Sequence, residues 1–338
     1  MKVLVTGANG LLGHHVTLKL LNEGYNVRIL VRKIDDIYFD INKVELVLGS
    51  FEDEEILKRA LYECDSVIHI AACVSQKGLN YENYKLINVT GTLLLYQKSL
   101  ENGVKRFIFI SSSNTIGNGT QAKLADEESK ISYPFENSFY ARSKQEAEQK
   151  LLQKTKDSAM GLIIINPCFM IGAFDPKPSS GKLMLMGYKK PIMIVTGGGK
   201  NFVSAENVAH VVCNALEKGR SGERYLVAGV NLSFIEFFKH QRKLGGYKQW
   251  IIHIPDWALK CAGYVGDMVR KAGIETELCT MNIDQLLVQE YYTGEKAKRE
   301  LDMKDTYLSE SILESLNWFK STGKFRSKMK IEKRKEIL

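Results

Sequence analysis

Through the first half of the chain, short runs of β-branched and aliphatic residues alternate with longer stretches in which apolar positions return every three or four residues. That alternation predicts βαβ units on a parallel sheet. The candidate strands are 2–6, 26–31, 44–48, 66–70, 106–111 and 161–165. Several are apolar at nearly every position, as strands covered on both faces must be. The candidate helices are 11–23, 54–62, 81–102 and 138–154, with Gly24 and Gly103 standing where helices should stop.

After Pro167 the rhythm breaks. Residues 172–181 are loop by composition, 205–218 fit a helix and 224–228 a short strand, and from Asn231 onward the pattern is helical but irregular. The expected fold is α/β: a Rossmann doubly wound parallel sheet with a smaller, mainly helical C-terminal substrate-binding portion. Residues 1–166 form the cofactor part, to which 202–228 are expected to return. Residues 167–201 and 229–323 form the substrate part, and 324–338 a basic tail. Gly197-Gly198-Gly199-Lys200 invites a phosphate-loop reading, but Ile194 stands where that loop needs glycine and Asn201 where it needs Ser or Thr. It reads as an ordinary loop.

Directly after the first strand comes Gly7-Ala8-Asn9-Gly10-Leu11-Leu12-Gly13, which then opens a helix. The first glycine permits a tight turn, the second lets backbone approach a pyrophosphate, and the third allows close helix–strand packing. Free amides and the helix dipole favour phosphate there. Dinucleotide binding is predicted. The second strand ends in Arg32 rather than an acidic residue. A carboxylate there would accept from both ribose hydroxyls and repel a 2′-phosphate, whereas a guanidinium attracts one. NADP(H) is therefore expected over NAD(H), with Asp35 and Asp36 falling beyond the strand end.

Tyr140 and Lys144 are four residues apart and share a helix face. An ordinary phenol is a poor proton donor near neutrality, and a neighbouring ammonium would draw its pKa down. The strand ending in Ser111-Ser112-Ser113 puts hydroxyls at the carboxyl edge of the sheet, where open α/β proteins bind ligands.

With these pieces in order, the chain resembles the extended short-chain dehydrogenase/reductase family, also known as the NAD-dependent epimerase/dehydratase superfamily. His69-Ile70-Ala71-Ala72, Asn88-Val89-Thr90-Gly91-Thr92 and Asn166-Pro167 complete the match. The resemblance implies that Ser50 and Phe51 flank the adenine, that Ala71, Ala72 and Cys73 lie along the cofactor, and that Pro167 and Cys168 border the nicotinamide. It implies a catalytic set of Ser113, Tyr140 and Lys144, the last two also touching the cofactor. The chain most resembles dihydroflavonol-4-reductase-like and 3β-hydroxysteroid dehydrogenase-like members. Arg32, Asn166-Pro167 where epimerases carry Arg-Pro, and Gly222-Glu223-Arg224-Tyr225 point that way. Lys200-Asn201 replace the Arg-Asp pair frequent in sugar-nucleotide epimerases.

The expected activity is NADPH-dependent reduction of a ketone or aldehyde, with Phe135, Phe169, Met170 and Met184 as candidates for the apolar wall or for plain core. The alternatives are an NAD-dependent sugar-nucleotide epimerase and a non-catalytic NADP-binding sensor. Composition adds exclusions: 44% hydrophobic and 25% charged residues argue against disorder and fibrous architectures. No apolar run is long enough for a membrane span. The six cysteines (Cys64, Cys73, Cys168, Cys213, Cys261, Cys279) form no C-x-x-C pair, and the histidines lack ligand spacing, so reduced thiols, no metal and a cytoplasmic location are expected. His14 and His15 read as helix surface or packing, and Asn88 as a site organiser or a surface residue. Trp250, Trp257 and Tyr264 belong to a region expected to close over substrate. The net charge is +8, and it is concentrated in the tail, which reads as a solvated end rather than a nucleic-acid arm. Pairing of helices 81–102 and 138–154 across a two-fold axis would give a homodimer.

Overall fold

The computed structural model describes residues 1–74, 80–156, 158–274, 276 and 279–325. Its first half runs β1 (Lys2–Thr6), α1 (Leu11–Asn22), β2 (Asn26–Val31), β3 (Glu45–Leu48), α2 (Glu54–Leu61), β4 (Ser66–His69), α3 (Tyr81–Tyr84), α4 (Thr92–Glu101), β5 (Arg106–Ile110), α5 (Phe139–Thr155) and β6 (Gly161–Pro167). A π-helical stretch, Lys85–Gly91, joins α3 to α4 inside what the sequence presents as one helix. There follow β7 (Phe169–Ile171), α6 (Gly181–Gly187), β8 (Ile192–Val195), β9 (Gly199–Ser204), α7 (Ala205–Lys218), β10 (Arg224–Val227) and β11 (Val230–Ser233). The chain then continues through α8 (Phe234–Gly245), β12 (Trp250–His253), α9 (Asp256–Lys271), α10 (Thr280–Leu287), β13 (Gln289–Glu290), α11 (Glu295–Leu301) and α12 (Leu308–Ser321).

The main sheet has seven parallel strands in the order β10-β6-β5-β4-β1-β2-β3. Strand alternation sorts its apolar side chains into two cores. Val3, Val5, Ile108, Ile163 and Ile165 pack on the α1/α7 side, while Leu4, Phe107, Phe109, Leu162 and Ile164 pack towards α2, α4 and α5. The connections leave β1 in one direction towards β2 and β3 and cross to β4 on the other side. The β1/β4 gap is thus the switch point at which open α/β sheets bind ligands.

A third core, including Met184, Phe202, Phe237, Phe238 and Phe319, holds the C-terminal part together. Here the sequence misleads. Gly199 and Lys200 open β9 rather than lying in a loop, pairing antiparallel with Ser233 and Leu232 of β11. The glycines are needed because backbones crowd: a Cβ on Gly198 would lie 2.3 Å from Leu286 O, and one on Gly199 2.7 Å from Leu232 O. β9 also pairs with β7 and β13, and β8 with β12, so the region after Asn231 holds short strands as well as helices. Strands of two to four residues are too short to display a period of two. Residues 326–338 of the basic tail lie outside the described residues. Among the described residues no helix is long and apolar enough to cross a membrane.

Candidate active site

The glycine loop turns at the carboxyl end of β1. Gly7 has φ +73°, and a Cβ there would lie 2.8 Å from Ala71 N. A Cβ on Gly13 would fall 2.1 Å from Gly7 O, so helix and turn touch at that point. Gly10 differs: its Cβ would meet only Gly7 O, at 3.4 Å. Its place at the N-cap of α1, with no side chain capping the helix, leaves open backbone for a ligand's approach. The cradle therefore fits a pyrophosphate. Leu11 and Leu12 are buried in the first turn, and Asn9 Nδ2 reaches Asp35 O at 3.5 Å.

Arg32 is exposed at the end of β2, with no ion pair among the described residues, whereas Asp36 pairs with Lys177 at 3.5 Å. His14 and His15 are buried, so they serve packing and not helix surface. His14 bridges Gly10 O (2.9 Å) and Tyr38 N (3.1 Å) and stacks on Phe174, while burial drives His15 down to about 4.

Ala71, Ala72 and Cys73 follow β4 across the switch point, and a polar chain fixes them there. Thr6 Oγ1 accepts from the amides of Ile70 and Ala71, both at 3.2 Å, and lies 2.8 Å from His69 Nδ1. His69 Nε2 lies 3.0 Å from Thr92 Oγ1, whose hydroxyl donates to Asn88 O at 2.8 Å. These partners suit a neutral imidazole protonated on Nε2, in keeping with the burial that holds His69 down at about 3. Asn88 is buried on the π-helical stretch. It accepts from Cys73 N (2.7 Å) and donates to Cys73 O and Ser143 Oγ, each at 3.0 Å. It thus ties the β4 loop to α5, as an organiser and not a surface residue. Phe51 packs edge-on to His69, 5.0 Å between centroids, while Ser50 donates to Glu52.

Tyr140 and Lys144 stand one turn apart at the start of α5, which Ser138 caps by accepting from Ala141 N. Tyr140 is half-buried and Lys144 buried. Lys144 Nζ donates to Ile110 O at 2.7 Å and sits 4.6 Å from the centre of the Phe109 ring. Burial drives this amine down to about 7, against the attraction of Glu148. Burial likewise pushes the Tyr140 phenol up to about 12, with the Ser112 hydroxyl pulling the other way. The expected downward draw of Lys144 on the phenol is not found: the lowering comes from the Ser112 hydroxyl, and desolvation outweighs it.

The serines divide their contacts. Ser112 reaches the Tyr140 phenol, while buried Ser113 bonds to Cys168, next to Pro167 at the end of β6. Burial pushes the Cys168 thiol well up. Behind them Asn166 Nδ2 donates to Glu148 Oε1 (2.7 Å) and Ser112 O (3.1 Å), and Thr115 donates to Glu148 Oε1 at 2.9 Å.

At this edge Glu290 and Tyr292 escape the sequence reading, and Lys200 enters it only as a loop residue. Lys200 of β9 forms an ion pair with buried Glu290 of β13, beside Phe169, and Tyr292 donates to Ser113 O at 3.5 Å. The Gly-Lys stretch is the one signal for them, and it is legible only once β9 is known to be a strand. Of the proposed apolar wall, Phe135 and Met184 are fully buried core, while Phe169 and Met170 keep some exposure. Trp250, Trp257 and Tyr264 are among the most exposed apolar side chains of the described residues.

Comparison with known proteins agrees with this geometry. The model of the NAD dependent epimerase/dehydratase family matches residues 3–228. "Sterol demethylase protein B" of Methylococcus capsulatus is 27% identical, over 96% of this chain and 99% of its own length. A "Putative dihydroflavonol 4-reductase" of Synechocystis is 26% identical over 94% of both chains. Among solved structures, that titled "Crystal structure of gox2253" superposes with a TM-score of 0.81 at 28% identity, covering 95% of this chain and 98% of the other. The chain belongs to the NAD dependent epimerase/dehydratase family, the extended short-chain dehydrogenases/reductases, and is an NAD(P)-dependent oxidoreductase.

Proposed function

We propose that this enzyme reduces a ketone or aldehyde with NADPH, a reaction reversible as alcohol oxidation. The observation that carries the reading is Arg32, exposed and without an ion-pair partner among the described residues, where a carboxylate would select NAD. A second observation supports this reading over that of an epimerase. Lys200 is held by Glu290, and Asn201 is held by Asn231 (2.7 Å) and Gly229 N (2.6 Å), so neither side chain is free to grip a nucleotide diphosphate. The named reductase of Synechocystis lends support.

In this scheme the Gly7–Gly13 turn and the α1 amides hold the pyrophosphate, and Arg32 holds the 2′-phosphate. Ser50, Phe51, Ala71, Ala72 and Cys73 line the adenosine and ribose path, and Pro167 and Cys168 border the nicotinamide. The bound nicotinamide supplies the hydride. Tyr140 gives its phenolic proton to the carbonyl oxygen, which Ser112, the hydroxyl beside the phenol, positions in place of the Ser113 expected from the sequence, since Ser113 is buried against Cys168. Lys144, at about 7, can return a proton to the phenolate near neutrality.

The test is equilibrium binding of NADPH and NADH to the wild type and Arg32→Ala, followed by cofactor oxidation with a panel of ketones and aldehydes. We expect NADPH preference that collapses in the variant. Preference for NADH, or cofactor that co-purifies and does not exchange, would overturn the assignment in favour of an epimerase.

A further inference from the structure

We propose that the outward face of α9, with the adjoining exposed face of β8 and β12, docks on an anionic lipid bilayer. A surface helix ordinarily turns its apolar stripe inwards. α9 carries a second apolar stripe that faces outwards. It seats on α10 through its two buried residues, Gly263 and Gly266, and a Cβ at Gly263 would lie 3.1 Å from Thr280 Cα. On the opposite side Trp257, Cys261, Tyr264, Val265 and Met268, at steps of four, seven, eight and eleven, share one face. Trp257 is 71% exposed, Tyr264 62%, Val265 60% and Met268 70%.

The two strands before α9 present the same chemistry. Trp250 stands opposite Ile192, and Ile252 opposite Ile194, in parallel register. All four side chains are exposed, while their neighbours Met193 and Val195 enter the core. β12 passes through Ile254 and Pro255 directly into α9, so the two faces adjoin along the chain. Exposed apolar side chains grouped in this way mark an interaction site.

Charge selects the occupant. Residues 239–274 carry seven Lys and Arg against Asp256 and Asp267, and Lys260 and Lys271 flank the α9 stripe. Trp and Tyr on an apolar face, bordered by lysines, are what a helix lying in a headgroup layer carries. A second copy of the chain would bring the same positive charge against itself. The inference is independent of the reductase reading and stands or falls separately from NADPH binding.

The experiment mixes the full chain with vesicles of phosphatidylcholine alone, or with phosphatidylserine added, and follows flotation and tryptophan emission. Of the three tryptophans only Trp318 is buried, so a blue shift reports Trp250 and Trp257. We expect flotation and a blue shift with phosphatidylserine vesicles, both weakened by high salt. The variant Trp257→Ser/Tyr264→Ser/Met268→Ser should lose roughly tenfold or more in bound fraction, while its thermal unfolding and NADPH binding stay unchanged. A second variant, Lys328→Gln/Lys330→Gln/Lys333→Gln/Arg334→Gln, should still float. No flotation, flotation untouched by the triple substitution, or flotation abolished by the tail substitutions alone would overturn the proposal. So would light scattering showing a dimer that the triple substitution dissociates.

Discussion

α5 and α9 are helices of similar length, 17 and 16 residues, with opposite relations between sequence and burial. α5 is the more polar, yet it buries Lys144, Glu148 and Ser143 against the sheet. α9 is richer in apolar residues, yet it fully buries only two glycines, half-buries Leu259 and Val269, and turns Trp257, Tyr264, Val265 and Met268 outwards. Each inversion costs free energy, one by desolvating charge and the other by hydrating apolar surface. In α5 the cost is offset by partners: Ile110 O for Lys144, and Asn166, Thr115 and Arg224 for Glu148. In α9 no such compensation exists within the chain among the described residues. The comparison teaches that departures from the apolar-inside rule are where chemistry or partners should be sought.

The largest way to sharpen it is Tyr140→Phe. Removing the phenolic proton should lower kcat by roughly a hundred- to ten-thousand-fold, with NADPH affinity in titrations nearly unchanged. Equal loss of binding would mean that Tyr140 is structural. Next comes Glu148→Ala on the buried face of α5. It removes the carboxylate that Asn166 and Thr115 share, leaving both only Ser112 O and each other, and denaturant unfolding should show a loss of about 1–3 kcal/mol.

The pH dependence of stability probes the same face. Lys144 titrates at about 7 in the folded protein against an ordinary 10.5, so between those values the unfolded chain holds a proton that the folded one lacks. Stability from this group therefore rises with pH across that window and is lost as pH falls back through 7. Tyr140, raised from 10.0 to about 12, acts in the opposite sense above pH 10. Lys144→Met should flatten the rise, and melting curves that keep the wild-type slope would refute the assignment. The smallest effect belongs to α9: Trp257→Ser in lipid-free buffer should change stability by no more than about 0.5 kcal/mol. A larger loss would show that Trp257 packs against the protein after all.

Much of the cofactor half was legible because its signals are local. The glycine spacing, the five-residue Tyr140–Lys144 run and the apolar strands each lie within one element, and the strand bounds 2–6 and 26–31 match the structure. The supporting shell was not legible. His69 meets Thr6 across 63 positions and Asn88 meets Ser143 across 55, and no period in the sequence encodes such pairings. Lys200 and Glu290 are 90 residues apart and come together only because β9 and β13 pair.

What the sequence by itself determined is the doubly wound sheet, the glycine turn after β1, the placing of Tyr140 and Lys144 on one helix face and the charge at the end of β2. Backbone sterics and short-range periodicity suffice for these. Tertiary structure alone decided which serine touches Tyr140, how far burial moves Tyr140 and Lys144 in opposite directions, and which face of α9 meets water. Those depend on desolvation and on contacts between distant segments, which exist only once the chain has packed.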